Sequence, residues 1–233
     1  MRILGALSAA GADLIEVGIP FSDPLADGKT IQHSSEVALK NGVTLPKILS
    51  LIKEFRKSSE VPILLMGYFN PILQFGITEF TREAAKAGVD GLIIPDLPPE
   101  ESGDFVRASK ETGLSNVFLI APTSDDARIR LIDSVSTDVS YCVSVTGVTG
   151  ARSSWGTNGS HDAFFQRVKR ETKKPFVVGF GIATSEHVRS VWRYADGAVV
   201  GSALIDRIGD ARNAEEAARE AGMFFTSLRP GHG

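Results

Sequence analysis

Short apolar runs rich in β-branched residues recur along the chain and alternate with longer amphipathic stretches. Near-continuously apolar runs of this length are typical of strands in a parallel sheet whose two faces are both covered. The predicted strands are 14–19, 62–67, 91–96, 117–121, 139–145, 176–181 and 198–202. Apolar residues at helical spacing predict helices over 45–58, 78–88, 101–113, 125–136, 160–173, 185–195 and 211–230.

Strict alternation of strands and helices predicts a parallel sheet with crossover helices, either an open doubly wound sheet or a closed (β/α)8 barrel. No linker or shift in composition divides the 233 residues, so we expect one domain over 1–233. Seven strands are predicted, whereas a barrel needs eight. The chain opens on a stretch that resembles the end of a helix capped by Gly11. In a barrel, the first strand would therefore lie before residue 1.

Composition excludes several classes of function. The net charge is −3 and the pI is about 5.8, so there is no basic field for nucleic acid or acidic lipid. The single cysteine, Cys142, excludes an internal disulfide and favours a reducing compartment such as the cytoplasm. No apolar run approaches the ~20 residues of a membrane span. The four histidines lack metal-ligand spacing, so no metal site is predicted.

A carboxylate interrupts the first apolar run, 14-LIEVGI-19. Burying an ionised, unpaired Glu16 would cost several kcal/mol or more. No other predicted strand carries a lysine or arginine to pair with it. Gly18, on the same face of the strand, leaves space beside the carboxylate at the end where βα enzymes hold their chemistry. The pattern therefore favours a functional Glu16 over a core ion pair.

The next loop, 20-PFSDPLADGKTIQ-32, adds Asp23 and Asp27. It exceeds the ~2–6 residues usual for a βα connection, which suggests a lid or a docking surface. By pattern alone each aspartate fits direct chemistry or a plain turn role equally well.

Two glycine-rich turns follow the last two predicted strands, 179-GFGIATSEHV-188 and 201-GSAL-204. Glycines let backbone N–H groups approach an anion, and helix N-termini add positive potential. The turns therefore predict a phosphate cradle, which barrels typically build at these two strands. The loop 146–160, rich in Gly, Ser and Thr, is predicted to be a closing lid.

Six segments together resemble one family, the α subunit of tryptophan synthase. They are 14-LIEVGIPFSDPLADG-28, 66-MGYFNPI-72, 95-PDLPPEES-102, 147-GVTGAR-152, 179-GFGI-182 and 201-GSA-203. The resemblance implies a TIM barrel and the retro-aldol cleavage of indole-3-glycerol phosphate to indole and glyceraldehyde 3-phosphate. The pair Glu16 and Asp27 disfavours another phosphate-binding barrel enzyme, such as an isomerase.

The resemblance also implies a role for each matching residue. Glu16 would be the acid/base group, with a pKa raised by its apolar surroundings. Asp27 would accept the indole N–H bond and stabilise the positive indolenine. The lid, substrate and phosphate positions would be Tyr141, Thr149, Gly150, Gly179, Phe180, Gly181, Gly201 and Ser202. The indole pocket would include Met66, Ile94 and Pro95, and the partner surface Asp23, Asn70 and Pro71.

The implied partner is the β subunit, in an α2β2 tetramer. That subunit holds pyridoxal phosphate and receives indole through a tunnel, whereas no cofactor is expected in this chain. Two alternatives stay open: a catalytically weak subunit that activates the β subunit, and a free-standing lyase. Because the first barrel strand would lie before residue 1, we expect the 233-residue chain by itself to be less stable than a complete homologue and weakly active.

Overall fold

The computed structural model describes residues 1–143, 160–179 and 181–229. Its strands are β1 (Ile15–Gly18), β2 (Ile63–Met66), β3 (Gly91–Ile93), β4 (Ser115–Val117), β5 (Leu119–Ile120), β6 (Ser140–Val143), β7 (Phe176–Gly179) and β8 (Gly197–Ala198). Its helices are α1 (Arg2–Ala9), α2 (Lys29–Lys40), α3 (Leu45–Phe55), α4 (Phe69–Phe75), α5 (Ile77–Ala87), α6 (Gly103–Thr112), α7 (Asp126–Val135), α8 (Ser160–Glu171), α9 (Ser185–Val191), α10 (Ser202–Gly209) and α11 (Ala214–Leu228). A 3₁₀ turn covers Pro99–Glu101.

All paired strands run parallel, in the orders β1-β2-β3-β4 and β5-β6-β7-β8. The two groups form one wall, because only Phe118 separates β4 from β5 and its carbonyl accepts a 3.1 Å hydrogen bond from the Tyr141 N–H. Among the described residues no strand joins β8 to β1, so the wall is open there. This is the architecture of a (β/α)8 barrel with seven strand positions, as the sequence predicted.

Apolar side chains form three clusters that define the layers. The interior cluster includes Leu64, Ile93, Val117 and Tyr141, which point into the barrel. Two outer clusters lie between the wall and the helices. One contains Ile52, Phe55 and Phe80, and the other Ile129, Phe165 and Val168. Burial on both faces explains why the strands read as continuous apolar runs.

The structure corrects several predicted elements. The helices α2, α4 and α10 were not predicted. The strand predicted over 198–202 ends at Ala198, and α10 begins at Ser202. Helices α2 and α10 have no fully buried residue, although Leu204 and Ile208 of α10 pack partly buried against the first outer cluster. The strand predicted over 117–121 begins at Ser115 and is broken at Phe118. None of the described helices has the length and apolar content needed to cross a membrane.

Aspartates close the amino-terminal end of the wall. The Asp90 carboxylate accepts a 2.7 Å hydrogen bond from the N–H of Ile63, the first residue of β2. Asp196 accepts a 3.0 Å bond from the N–H of Phe176, the first residue of β7. Arg56 forms an ion pair with Asp90 and donates to the carbonyls of Gly88 and Val61 at 2.7 and 2.6 Å. In both strands, the first backbone N–H thus donates to an aspartate that directly precedes the neighbouring strand.

We expect Asp90→Ala to lower the free energy of unfolding by about 2 kcal/mol, because the Ile63 N–H loses its acceptor and the largely buried Arg56 loses its ion pair, although it keeps its carbonyl acceptors. Urea denaturation followed by circular dichroism measures the change. The matched control is Glu54→Ala, which removes an exposed ion pair with Lys57 and should cost less than about 0.5 kcal/mol. Equal losses in the two variants would contradict the role of Asp90.

Candidate active site

Strand β1 carries Glu16 into the barrel interior. Ile15 and Val17 pack outward in the first outer cluster, so the alternation of the strand turns Glu16 and Gly18 inward. Glu16 lies in register with Leu64 of the interior cluster. A Cβ added at Gly18 would meet no atom within 4 Å, so open space lies next to the carboxyl group.

Glu16 places one carboxyl oxygen in an enclosed environment. Within the described part of the chain, its Oε1 atom is buried without a hydrogen-bond partner. Burial raises the pKa of Glu16 from 4.5 to about 7. Tyr141 is also buried, and its pKa lies well above the usual range. The main cause is burial, and the second is the negative charge of ionised Glu16. The site therefore holds a carboxyl group that populates both protonation states near neutral pH.

The loop after β1 rests on the end of β2. Ile19 packs so tightly against Gly67 that any Cβ there would overlap with the Ile19 side chain. The Phe21 ring lies 5.4 Å from the Tyr68 ring, centroid to centroid. The Ala26 N–H donates a 2.9 Å hydrogen bond to the Tyr68 hydroxyl. The loop is therefore attached at its beginning and close to its end.

Asp27 is held on this loop by hydrogen bonds to its backbone and its side chain. Its N–H donates to the Pro24 carbonyl at 3.1 Å, and its own carbonyl accepts from Gln32 Nε2 at 2.9 Å. Its Oδ2 atom accepts a 3.1 Å bond from the Tyr68 hydroxyl. Burial raises the pKa of Asp27, and the Tyr68 bond opposes this rise. Asp23, in contrast, is exposed; its carboxylate accepts a hydrogen bond from the neighbouring Ser22 hydroxyl, and its carbonyl accepts one from the Leu25 N–H at 2.9 Å.

The predicted phosphate cradle lies partly within the described chain. Gly179 is buried beneath Tyr141, and a Cβ there would overlap with the phenol ring. Gly181 has a φ of 76°, a left-handed conformation that favours glycine. Gly201 is exposed and precedes α10, whose first residue is Ser202. Thr149, Gly150 and Phe180 lie outside the described residues.

The predicted indole-pocket residues separate onto two sides of the wall. Met66 packs with the interior cluster, whereas Ile94 is buried in the first outer cluster. Pro95 follows Ile94 and is half-buried. Among these three residues, only Met66 is packed with the interior residues around Glu16. The alternation of side chains along β3 explains this, because Ile93 takes the interior position.

The predicted partner surface displays apolar side chains at the carboxyl end of the wall. Asn70 is exposed and Pro71 half-buried in α4. Leu73 of the same helix is 50% exposed, and Leu25 of the loop is 90% exposed. Tyr68 was not predicted to be a functional residue, although Tyr68 lies within the segment 66-MGYFNPI-72 that resembles the family.

Comparison with known proteins agrees with this geometry. The family model described as tryptophan synthase alpha chain matches residues 1–229. The chain belongs to the tryptophan synthase alpha chain family. A relative of that name from Chlorobium luteolum is 49% identical over 236 residues, covering 98% of this chain and 87% of the relative. One from Chlorobaculum tepidum is 48% identical, with 98% and 88% covered.

Solved structures of tryptophan synthase share the fold. The tryptophan synthase complex from Pyrococcus furiosus contains a chain that is 39% identical, with a TM-score of 0.88 over 97% of this chain and 90% of that chain. Subunit alpha from Legionella pneumophila is 36% identical, with a TM-score of 0.87 over 97% and 84%. The reaction of the family is the retro-aldol cleavage of indole-3-glycerol phosphate, and this carbon–carbon lyase activity is that of the chain.

We expect Glu16→Gln to stabilise the fold at high pH. A glutamate with a pKa of 4.5 unfolded and about 7 folded destabilises the native state once it ionises, by about 3 kcal/mol above pH 7. This cost begins as the pH rises through 4.5 and is complete above about 7. Glutamine carries no such cost.

Urea denaturation at pH 8 and pH 5 checks this expectation. The gain from Glu16→Gln should be about 3 kcal/mol at pH 8 and below about 1 kcal/mol at pH 5. Glu54→Gln, at an exposed position, is the control and should show no such dependence. A gain of the same size at both pH values would mean that the charge of Glu16 is not the cause.

Proposed function

We propose that Glu16 is the acid/base group of the lyase reaction. Cleavage of the bond from indole C3 to the side chain requires a proton at C3 and removal of a proton from the side-chain hydroxyl. A single carboxyl group performs both steps in turn if its pKa is near the working pH. The observation that carries this proposal is the Glu16 carboxyl group, whose pKa burial raises to about 7 and whose buried Oε1 atom has no hydrogen-bond partner among the described residues.

Asp27 stabilises the positive charge that develops on the indole ring. Protonation at C3 leaves an indolenine cation whose N–H donates to a carboxylate. Tyr68 occupies the Oδ2 atom of Asp27, and in the described part of the chain no hydrogen bond reaches Oδ1. That free oxygen is available for the indole N–H.

The phosphate group of the substrate binds at the turns after β7 and β8. Gly181, in its left-handed conformation, and the exposed Gly201 leave backbone N–H groups open to an anion. The positive end of α10, which begins at Ser202, adds to the attraction. By resemblance to the family, the other members are Gly179, Phe180, Gly150 and Thr149, with Thr149 closing the lid over Asp27.

The partner is a tryptophan synthase β subunit in an α2β2 tetramer in the cytoplasm. The solved Pyrococcus furiosus tryptophan synthase complex supports the association. Exposed Leu25 and Leu73 suit an apolar docking surface that includes Asp23, Asn70 and Pro71. Pyridoxal phosphate belongs to the β subunit, and this chain supplies indole to it.

Indole release from indole-3-glycerol phosphate, with and without a β subunit, tests the proposal. Glu16→Gln should lower the rate at least about 100-fold, because no other described side chain replaces its proton transfer. Asp27→Asn should lower it about 100-fold through loss of charge stabilisation. Glu54→Gln is the control and should leave the rate unchanged.

The outcomes separate the candidate functions. A rate that rises steeply with the β subunit and collapses in Glu16→Gln supports the coupled lyase. A rate that is high without the β subunit supports a free-standing lyase. If no indole appears yet the chain alters the β subunit's own reaction, the chain is a binding subunit and the proposal for Glu16 is wrong.

A further inference from the structure

We propose that Tyr68 is a positioning residue for Asp27, whose hydroxyl orients the Asp27 carboxylate toward the indole N–H. The inference rests on the proposed role of Asp27 and adds a residue from a different strand connection to the site. Tyr68 follows β2, 41 positions beyond Asp27 in the sequence. It acts through Asp27 and has no proposed contact with the substrate.

The Tyr68 side chain is buried and held in place by its neighbours. Tyr68 is only 6% exposed, and its ring contacts Phe21. Its backbone lies between two anchored residues: the Gly67 N–H donates to the Ile93 carbonyl at 3.1 Å, and the Phe69 N–H donates to Asp96 Oδ1 at 2.9 Å. The phenol oxygen therefore projects from a rigid strand end.

The hydrogen bonds of the hydroxyl determine where its proton points. A phenol oxygen has one proton to donate and accepts through its lone pairs. The Ala26 N–H donates to this oxygen at 2.9 Å, which directs the phenol proton to the other neighbour, Asp27 Oδ2, at 3.1 Å. The bond thus holds one carboxylate oxygen and leaves Oδ1 oriented for a second donor.

Charge reinforces the arrangement. The pKa of Tyr68 lies well above its usual range, because of burial and then the nearby Asp27 charge, so the phenol keeps its proton at working pH. The bond in turn lowers the pKa of Asp27 against the opposing effect of burial. The other charged groups of these segments are Asp96, which acts on Tyr68, exposed Asp23 on the loop, and exposed Lys29 at the start of α2.

The test is Tyr68→Phe, which keeps the ring and removes only the hydroxyl. We expect kcat for indole release to fall about tenfold, the loss typical of one hydrogen bond to a charged group, with a smaller change in KM. Without the phenol proton the pKa of Asp27 rises, so the acid limb of the kcat profile should move to higher pH. Tyr194→Phe, which removes a hydroxyl bonded to Asp162 outside the site, is the matched control and should leave rate and profile unchanged.

A double variant tests whether Tyr68 acts through Asp27. In an Asp27→Asn background, Tyr68→Phe should change the residual rate less than twofold. If Tyr68→Phe lowers kcat equally in both backgrounds, or lowers it without moving the pH profile, its role is structural and the inference is wrong. If Tyr68→Phe retains full activity while Asp27→Asn is inactive, only the inference fails. If Asp27→Asn retains full activity, the proposed role of Asp27 fails first.

Discussion

The structure depends on a carboxyl group inside the barrel whose Oε1 atom is buried without a hydrogen-bond partner in the part of the chain that the structure describes. Glu16 is tolerated in the barrel interior because a group whose pKa is raised to about 7 is neutral for much of the time near neutral pH. Burial raises this pKa: Leu64 lies beside Glu16 on β2, Tyr141 on β6 is close enough to interact with its charge, and the small Gly18 leaves space for a substrate. The same burial that makes Glu16 useful as an acid/base group makes it costly for stability.

The strands form a rigid base, and the loop after β1 positions a functional carboxylate on it. Parallel pairing and three apolar clusters fix the strand ends, and aspartates such as Asp90 and Asp196 satisfy the backbone at the opposite end. On that rigid base, the loop after β1 is attached through Ile19, Phe21 and Ala26 to the end of β2. A long loop attached in this way can present a carboxylate with the accuracy usually limited to regular elements.

The two carboxylates have different surroundings and therefore different chemical uses. Burial raises the pKa of Glu16 to about 7, and its Oε1 atom has no donor among the described residues, which suits proton transfer. Burial raises the pKa of Asp27 as well, but the hydrogen bond from Tyr68 opposes this rise by stabilising the ionised form, which suits stabilisation of a cation. Both residues are carboxylic acids, so their different roles come from their surroundings and not from the residue type.

The sequence alone determined the alternation of strands and helices, the count of seven strand positions, and Glu16 and Asp27 as candidates, because burial pattern, spacing and motif are local properties. It missed α2, α4 and α10, the last because the strand predicted over 198–202 ran on to the residue where that helix begins, and it misjudged where the strand around Phe118 begins and breaks. It also did not place Ile94 outside the barrel or join Tyr68 to Asp27. Those features depend on which strands become neighbours, and contacts between residues some 40 positions apart exist only once the wall has assembled.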